Sequence, residues 1–350
     1  MGGTILPRVT VPRLYDLSCK FLHKAGAPPA IAERVAHALV LTNIKGVDSH
    51  GVIRLTQYLD HIREGLVVPD ALPEIVQQTA NTAVVDGHHA FGHVTAKFAM
   101  DVAIQKADDC DLTAVTLYNA RHIGRVGEYV EMAIAAGFIG LAFCSALPSV
   151  APYGGRTRNL GTNPIAIGIP SDSEIPFVLD FATSVVAEGK VRFARDKGAD
   201  LPSGAILDAQ GRPSVRPEDF YQGGTLLPLG TYKGYGLSLA VQILGSLLAR
   251  SGTKLLDQSA TGNGALFIVL NPARFCDPTL LREQTKAICE VVKRAPTQEG
   301  FAEILVPGEP EYRAERRRRQ EGIPLPDGTW NRLVETGISI GMAADDFALD

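Results

Sequence analysis

The stretch GVDSHGVIRLTQYL, residues 46–59, concentrates an acid, a hydroxyl, an imidazole and a guanidinium in a short space. Asp48, Ser49 and His50 are adjacent, and Arg54 follows four residues after His50. On a helix, residues four apart share a face. The planar fork of an arginine grips a carboxylate bidentately, and an imidazole can then move a proton one or two atoms away on the same molecule. That pairing suits a 2-hydroxy, 2-oxo or 2-imino acid. A plainer account serves the same residues: Ser49 or Asp48 caps a helix, and Arg54 makes a surface ion pair. Spacing alone leaves both open. A hydrolase reading fits poorly, because neighbouring helix side chains diverge and no G-x-S-x-G elbow surrounds Ser49.

To either side of this stretch the pattern is helical, over residues 12–65. Leu14, Leu17, Phe21 and Leu22 share one face. Ile31, Val35, Ala38, Leu39 and Thr42 recur at helical spacing after a proline start, and Val52, Leu55, Leu59 and Ile62 continue the pattern to Gly65. Asp48 is read as a helix cap. Next, PEIVQQTANTAVVDGHHAFG, 73–92, reads as a hairpin. TAKFAMDVAIQKADDCD and VGEYVEMAIAAG read as helices, LTAVTLYNA and FIGLAFCSA as strands, which predicts a mixed α/β core. Residues 151–235 are rich in Gly and Pro and read as ordered loops. YGLSLAVQILGSLLARSG reads as a core helix, ALFIVLNP as a strand, and the basic run of EYRAERRRRQEG as a solvated helix face.

The whole chain has 350 residues, a net charge of −4, 45% hydrophobic and 21% charged residues. This is an ordinary composition with enough apolar surface for a core, and it points to neither nucleic acid nor an anionic membrane as partner. No apolar run approaches membrane-span length, and the N-terminus shows no secretory apolar segment. Five scattered cysteines without a CxxC read as reduced thiols of a cytoplasmic protein, and no metal-ligand spacing is present. There is no G-x-G-x-x-G and no Walker A, so the common nucleotide fingerprints are absent. All eight histidines lie at or before residue 122, and His50 and His122 stand out because glycine-flanked polar segments, DSHGVIR and NARHIGRVGEY, carry them. From the residues alone, the reading is a soluble α/β enzyme with a carboxylate-binding His/Arg pair.

Six ordered segments add a family resemblance. GVDSHGVIRLTQYL, VDGHHAFGHVTAKFAM, APYGGRTRNLGTNPIAIGIP, FVLDFATSVVAEGKV, LLPLGTYKGYGLSL and VPGEPE with GIPL together resemble the type-2 malate/L-lactate dehydrogenases, over about residues 12–325. These are non-Rossmann oxidoreductases dependent on NAD or NADP, and the group includes ureidoglycolate, sulfolactate and diketogulonate dehydrogenases and cyclic imino-acid reductases. The resemblance implies an α+β, mixed α/β fold. A helical N-terminal part (1–75) and a C-terminal part (251–350) would pack together, beside an α/β cofactor- and substrate-binding domain (76–250). It also implies a homodimer.

On the same basis, the catalytic residues would be His50, Ser49 and His122, with His50 or His122 as proton carrier. Arg54 would hold the substrate carboxylate, with His122 beside the substrate. Thr162, Asp180, Phe181, Ala182, Lys233, Pro307, Gly308 and Glu309 would contact the dinucleotide. No metal is implied. The expected reaction interconverts a small 2-hydroxy acid and its 2-oxo acid. NADPH-dependent reduction of a cyclic ketimine is the alternative, and a catalytically silent metabolite- or nucleotide-binding relative the second. The chain departs from the family pattern around the expected pocket. Thr231 and Tyr232 stand where Gly and His are usual, Ala120-Arg121 precede His122, Ser145-Ala146-Leu147-Pro148 replace a polar NSSP, and Lys190 stands where imino-acid reductases carry an acid.

Overall fold

The computed structural model describes residues 8–257 and 263–348. Its helical layer comes from both chain ends. Helices α1 (Val11–Lys24), α2 (Pro29–Ile44) and α3 (Arg54–Arg63) pack with α10 (Glu309–Glu321) and α11 (Asp327–Ser339). Thr10 caps α1 by accepting from the Arg13 amide at 3.4 Å, and Pro12 presets its first turn. Leu14, Leu17, Phe21 and Leu22 then face Val35, Leu39, Leu55 and Leu59 from the next two helices, and Ile323, Trp330 and Leu333 from the chain end close the same core. A short ladder of β1 (Arg8–Val9) with β12 (Ile323–Pro324) fastens the two ends together.

Beside this layer lies a seven-stranded sheet in the order β2-β3-β4-β11-β5-β6-β7. Its strands are β2 (Glu74–Gln78), β3 (Thr82–Asp86), β4 (Leu112–Ala120), β5 (Ile139–Cys144), β6 (Ile165–Ile169), β7 (Phe177–Phe181) and β11 (Asn263–Leu270). Only β3 and β4 run parallel, so this is not a doubly wound nucleotide-binding sheet. Helices α4 (Gly92–Ala107) and α5 (Gly127–Ala135) pack on it. Gly140 lets α5 lie close, since a Cβ there would come within 2.8 Å of Ala133. The division of the sequence grouped residues 251–350 with the helices. The structure corrects this for β11, which runs between β4 and β5 in the middle of the sheet. Long-range pairing of this kind leaves no local signal beyond the strand itself.

A smaller lobe closes the site from the other side. It holds α6 (Glu188–Lys197), the strands β8 (Ile206–Leu207), β9 (Pro213–Ser214) and β10 (Thr225–Leu226), and α7 (Pro217–Tyr221), around Val150, Val191, Ile206, Phe220 and Leu226. The apolar segment expected to be a core helix is α8 (Tyr232–Gln242) continued by a wider turn over Ile243–Leu248. It is only half buried: Val241 and Gly245 face inward while Leu239, Ile243, Leu247 and Leu248 are exposed. Helix α9 (Pro278–Lys293) also shows apolar residues, Ile288 and Val291, to solvent.

Candidate active site

The motif that opens the sequence does not continue as one helix. Gly46, at φ 81°, ends α2, and Asp48–His50 form a single 3-10 turn before α3 begins at Arg54. Gly51 makes the break: it packs so tightly on Asn43 that a Cβ would fall 2.1 Å from its side-chain oxygen. His50 and Arg54 therefore do not share a helix face in the manner their spacing suggests. Arg54 instead turns back, donating Nε to the Ser49 carbonyl at 2.7 Å and Nη1 to Gln57 at 2.7 Å. The two groups meet through the turn, not along a helix.

Asp48 is not a helix cap. Its carboxylate accepts from Arg318 at 2.6 and 3.0 Å and from Asn43 Nδ2 at 2.7 Å. Arg318 also donates to the Asn43 carbonyl at 2.6 Å. This corrects the reading of the basic run as a solvated face: Arg316, Arg317 and Arg319 fit it, but Arg318 is buried and fixes the turn.

A cleft of about 680 Å³ opens between the helical layer, the sheet edge and α6. Ser49, His50 and Arg54 line it, together with Thr162, Asp180, Phe181, Ala182 and Gly308. Six of the expected dinucleotide and substrate residues thus converge with Ser49 and His50, although they lie far apart in the chain. His50 Nδ1 is 2.8 Å from Ser49 Oγ. His122 stands against His50, with ring centroids 5.3 Å apart and planes 19° from parallel. Asp180 receives the Gly127 amide at 2.7 Å, and Gly127 is needed there, since a Cβ would sit 2.8 Å from the carboxylate. Gly189, at the start of α6, lies against Ser49, where a Cβ would come within 2.1 Å.

Four expected contacts lie outside this lining: His122, which stands behind His50, and Lys233, Pro307 and Glu309. Lys233 is exposed on the first turn of α8, whose neighbour Gly234 packs on the Leu229 carbonyl. The Pro307 carbonyl takes the Val178 amide at 3.4 Å. Glu309 is only 1% exposed, and its oxygens accept from Lys293 at 2.5 Å, Arg313 at 2.6 Å and the Val306 amide at 3.2 Å. It is a bracket within the fold.

Electrostatics set the protonation states. Burial lowers the His50 pKa to about 3, and the charges of Arg54 and Arg125 push the same way. Burial, with Arg54 and the neighbouring His50, takes His122 well below its ordinary value. Both rings are neutral at pH 7 and available as acceptors or donors. Burial raises Asp180, against the pull of Arg125. Glu188 is pushed up by burial but held below its usual value by Arg192 and Arg54. It accepts from Arg192 at 2.9 Å and from the Tyr221 hydroxyl at 2.9 Å, and lies 3.9 Å from Arg54 Nη2. Residues the motifs did not single out are Glu188, Arg125, Tyr58 and His93. Tyr58 does sit one helical step beyond Arg54, which is the only local hint.

The chain matches the malate/L-lactate dehydrogenase family over residues 9–334. It belongs to that family. Hydroxycarboxylate dehydrogenase B of Escherichia coli O157:H7 is 36% identical over 344 residues, covering 96% of this chain and 95% of the relative. L-sulfolactate dehydrogenase of Methanothermobacter thermautotrophicus is 36% identical over 322 residues, covering 90% and 92%. The crystal structure of malate dehydrogenase from Entamoeba histolytica superimposes with a TM-score of 0.92 at 30% identity, covering 97% of this chain and 99% of that one. As a member of the malate/L-lactate dehydrogenase family the protein is an oxidoreductase with that family's non-Rossmann fold. Among the described residues, no group of three or more His, Cys, Asp or Glu is placed to hold a metal, and no helix is long and apolar enough to cross a membrane.

Proposed function

We propose that this dehydrogenase interconverts a small 2-hydroxy acid and its 2-oxo acid, with NAD or NADP as hydride carrier. The observation that carries the reading is the Arg54 guanidinium beside the neutral His50 on one cleft wall. Among the described residues Arg54 uses Nε and Nη1 in hydrogen bonds, while Nη2 stands 3.9 Å from Glu188 and can take a substrate carboxylate. His50 then accepts the hydroxyl proton as hydride leaves C2. Ser49 Oγ supports that role by accepting from His50 Nδ1–H, which leaves the lone pair on Nε2. Held together, these groups gain mainly from positioning.

The cleft suits a dinucleotide. Its volume of about 680 Å³ is ample for a nicotinamide unit beside a small acid. Arg125 lines it with a buried Nε that lacks a partner among the described residues, a donor awaiting an acceptor. Asp180 would accept from hydroxyl or amide groups of the cofactor, and Thr162, Phe181, Ala182 and Gly308 would border it. When bound, the nicotinamide supplies the hydride acceptor. Lys190 lines the same cleft without an ion-pair partner among the described residues, next to the Gly189 that touches Ser49. A free cation there favours a substrate with a second anionic group over a cationic cyclic imine. The exposed apolar face of α8 and its continuation is where we place a second copy of the chain.

The test is a turnover panel: mono- and dianionic 2-oxo acids and a cyclic imino acid, each with NADH and NADPH. Consumption of reduced cofactor on the 2-oxo acids supports the proposal. Turnover of the cyclic imine alone transfers the site to ketimine reduction. Cofactor binding without turnover on any member refutes it.

A further inference from the structure

Arg54 is faced by a carboxylate of the protein's own. The guanidinium is fixed without it: Nε donates to the Ser49 carbonyl and Nη1 to Gln57 Oε1, both at 2.7 Å. Nη2 faces Glu188 Oε2 at 3.9 Å, close enough for charge to act and too far for a hydrogen bond. Arg54 opens α3 and Glu188 opens α6, so the pair crosses from the helical layer to the smaller lobe. Gly189, the next residue of α6, packs against Ser49 and holds the two elements at this separation.

The two oxygens of Glu188 are used unequally. Oε1 accepts from Arg192 Nε at 3.2 Å, Arg192 Nη2 at 2.9 Å and the Tyr221 hydroxyl at 2.9 Å. Oε2 has no hydrogen bond among the described residues and turns its charge toward Arg54. Arg192 and Arg54 hold the carboxyl below its usual range, against the effect of burial, so it is ionised at neutral pH. Three donors on Oε1 keep it in place. Glu188 does not itself line the cleft, whereas Arg54 and Arg192 do. A ligand carboxylate arriving at Nη2 therefore shares one guanidinium with a second, anchored carboxylate.

We propose that Glu188, anchored by Arg192 and Tyr221, competes with the substrate carboxylate for Arg54 Nη2 and so sets how tightly the acid is held. The inference rests on the function proposed above in one respect: there Arg54 is the carboxylate clamp. Between turnovers Glu188 balances part of the charge of a largely buried guanidinium. During turnover it weakens the hold on substrate and product alike. An interaction that acts equally on the bound acid and on the transition state changes KM and leaves kcat in place. A supporting role would have the opposite sign, because a Glu188 that steadied Arg54 would tighten binding. Glu188 touches neither substrate nor cofactor and acts through Arg54.

The experiment is a double-mutant cycle on the full-length protein, with pyruvate and oxaloacetate as probes. It reads the steady-state KM with reduced cofactor and the Kd with oxidised cofactor, where no reduction occurs. Glu188→Gln keeps the shape and an oxygen for Arg192 and Tyr221 while removing the charge. It should lower KM and Kd for the acids about tenfold, with kcat and the KM for cofactor nearly unchanged. Glu188→Ala should shift both constants in the same direction. In an Arg54→Ala background, Glu188→Gln should change neither. Raised or unchanged constants in Glu188→Gln overturn the proposal, and so does an equal fall when Arg54 is absent. The clamp reading fails by a different result, Arg54→Ala alone leaving KM and Kd at wild-type values. The Kd arm decides even where a probe is not turned over, so failure here is distinct from failure of the turnover panel.

Discussion

Asp48 and Arg318 form a two-pronged ion pair, at 2.6 and 3.0 Å, between the turn that carries Ser49 and His50 and the helix α10 near the chain's end. The pair spans 270 positions of sequence and is mostly buried on the arginine side. It ties α10 to the turn that lines the candidate active site. Asp48→Asn should destabilise the protein by about 2 kcal/mol, less than a fully buried broken pair because Asp48 is partly solvated. It should also cut kcat, because the turn loses its anchor. Chemical denaturation with parallel turnover checks this. A variant of native stability and rate would show the pair to be incidental.

Lys190 lines the cleft with no ion-pair partner among the described residues. Lys190→Ala should raise the KM for a dianionic 2-oxo acid about tenfold and leave a monoanionic one nearly untouched, the ratio expected for one lost charge-assisted contact. Cofactor KM values in the same experiment separate a substrate role from a phosphate-binding one. An increase confined to NADPH would reassign Lys190 to the cofactor.

Acid should unfold this protein through its neutral histidines. Burial, then Arg34 and His50, lower His93 to about 3 from an ordinary 6.5. The unfolded chain takes up a proton below pH 6.5 that the folded His93 refuses until about pH 3. Stability therefore falls as pH drops through this window, by about 1.4 kcal/mol per unit from His93. His50 and His122 are lowered in the same direction and add to the slope. Denaturation at neutral pH and at about pH 5, above most carboxylate titration, measures the effect. A His93→Gln variant should show a shallower slope. A flat profile would mean that these rings are protonated in the folded state.

Thr231 occupies φ 62°, ψ −124°, at the start of α8. This left-handed backbone suits glycine and strains a β-branched residue. The side chain is exposed. Thr231→Gly should raise stability by about 1 kcal/mol with activity unchanged. Urea denaturation reads it, and a destabilised variant would show that the threonine is held by contacts of its own.

Much of the molecule was legible beforehand, for identifiable reasons. Strong periodicity gave the helices around Leu14, Val35 and Leu59 and the strands of the sheet. The six ordered motifs brought Ser49, His50, Arg54, Thr162, Asp180, Phe181, Ala182 and Gly308 to one cleft before any geometry was known. What stayed hidden depends on tertiary pairing. Arg318 looks like any solvated arginine until α10 docks on α2. The central position of β11 follows from closing the sheet, not from its own residues. Tyr58 meets His93 across 35 positions and His122 across 64, so no local pattern could join them. Lys233 and Glu309 sit in motifs that suggested a ligand, yet one points to solvent and the other satisfies internal cations. The helical i, i+4 reading of His50 and Arg54 does not hold, because Gly51 breaks the helix between them.

The central claim is that Arg54 clamps the carboxylate of a 2-hydroxy or 2-oxo acid beside His50. Steady-state kinetics of Arg54→Ala on the best 2-oxo acid of the panel tests it most directly. The account predicts a KM raised about tenfold or more, a lowered kcat, and an unchanged affinity for the nicotinamide cofactor. If KM and kcat for the acid both stay at wild-type values, Arg54 does not hold the substrate and the account is wrong.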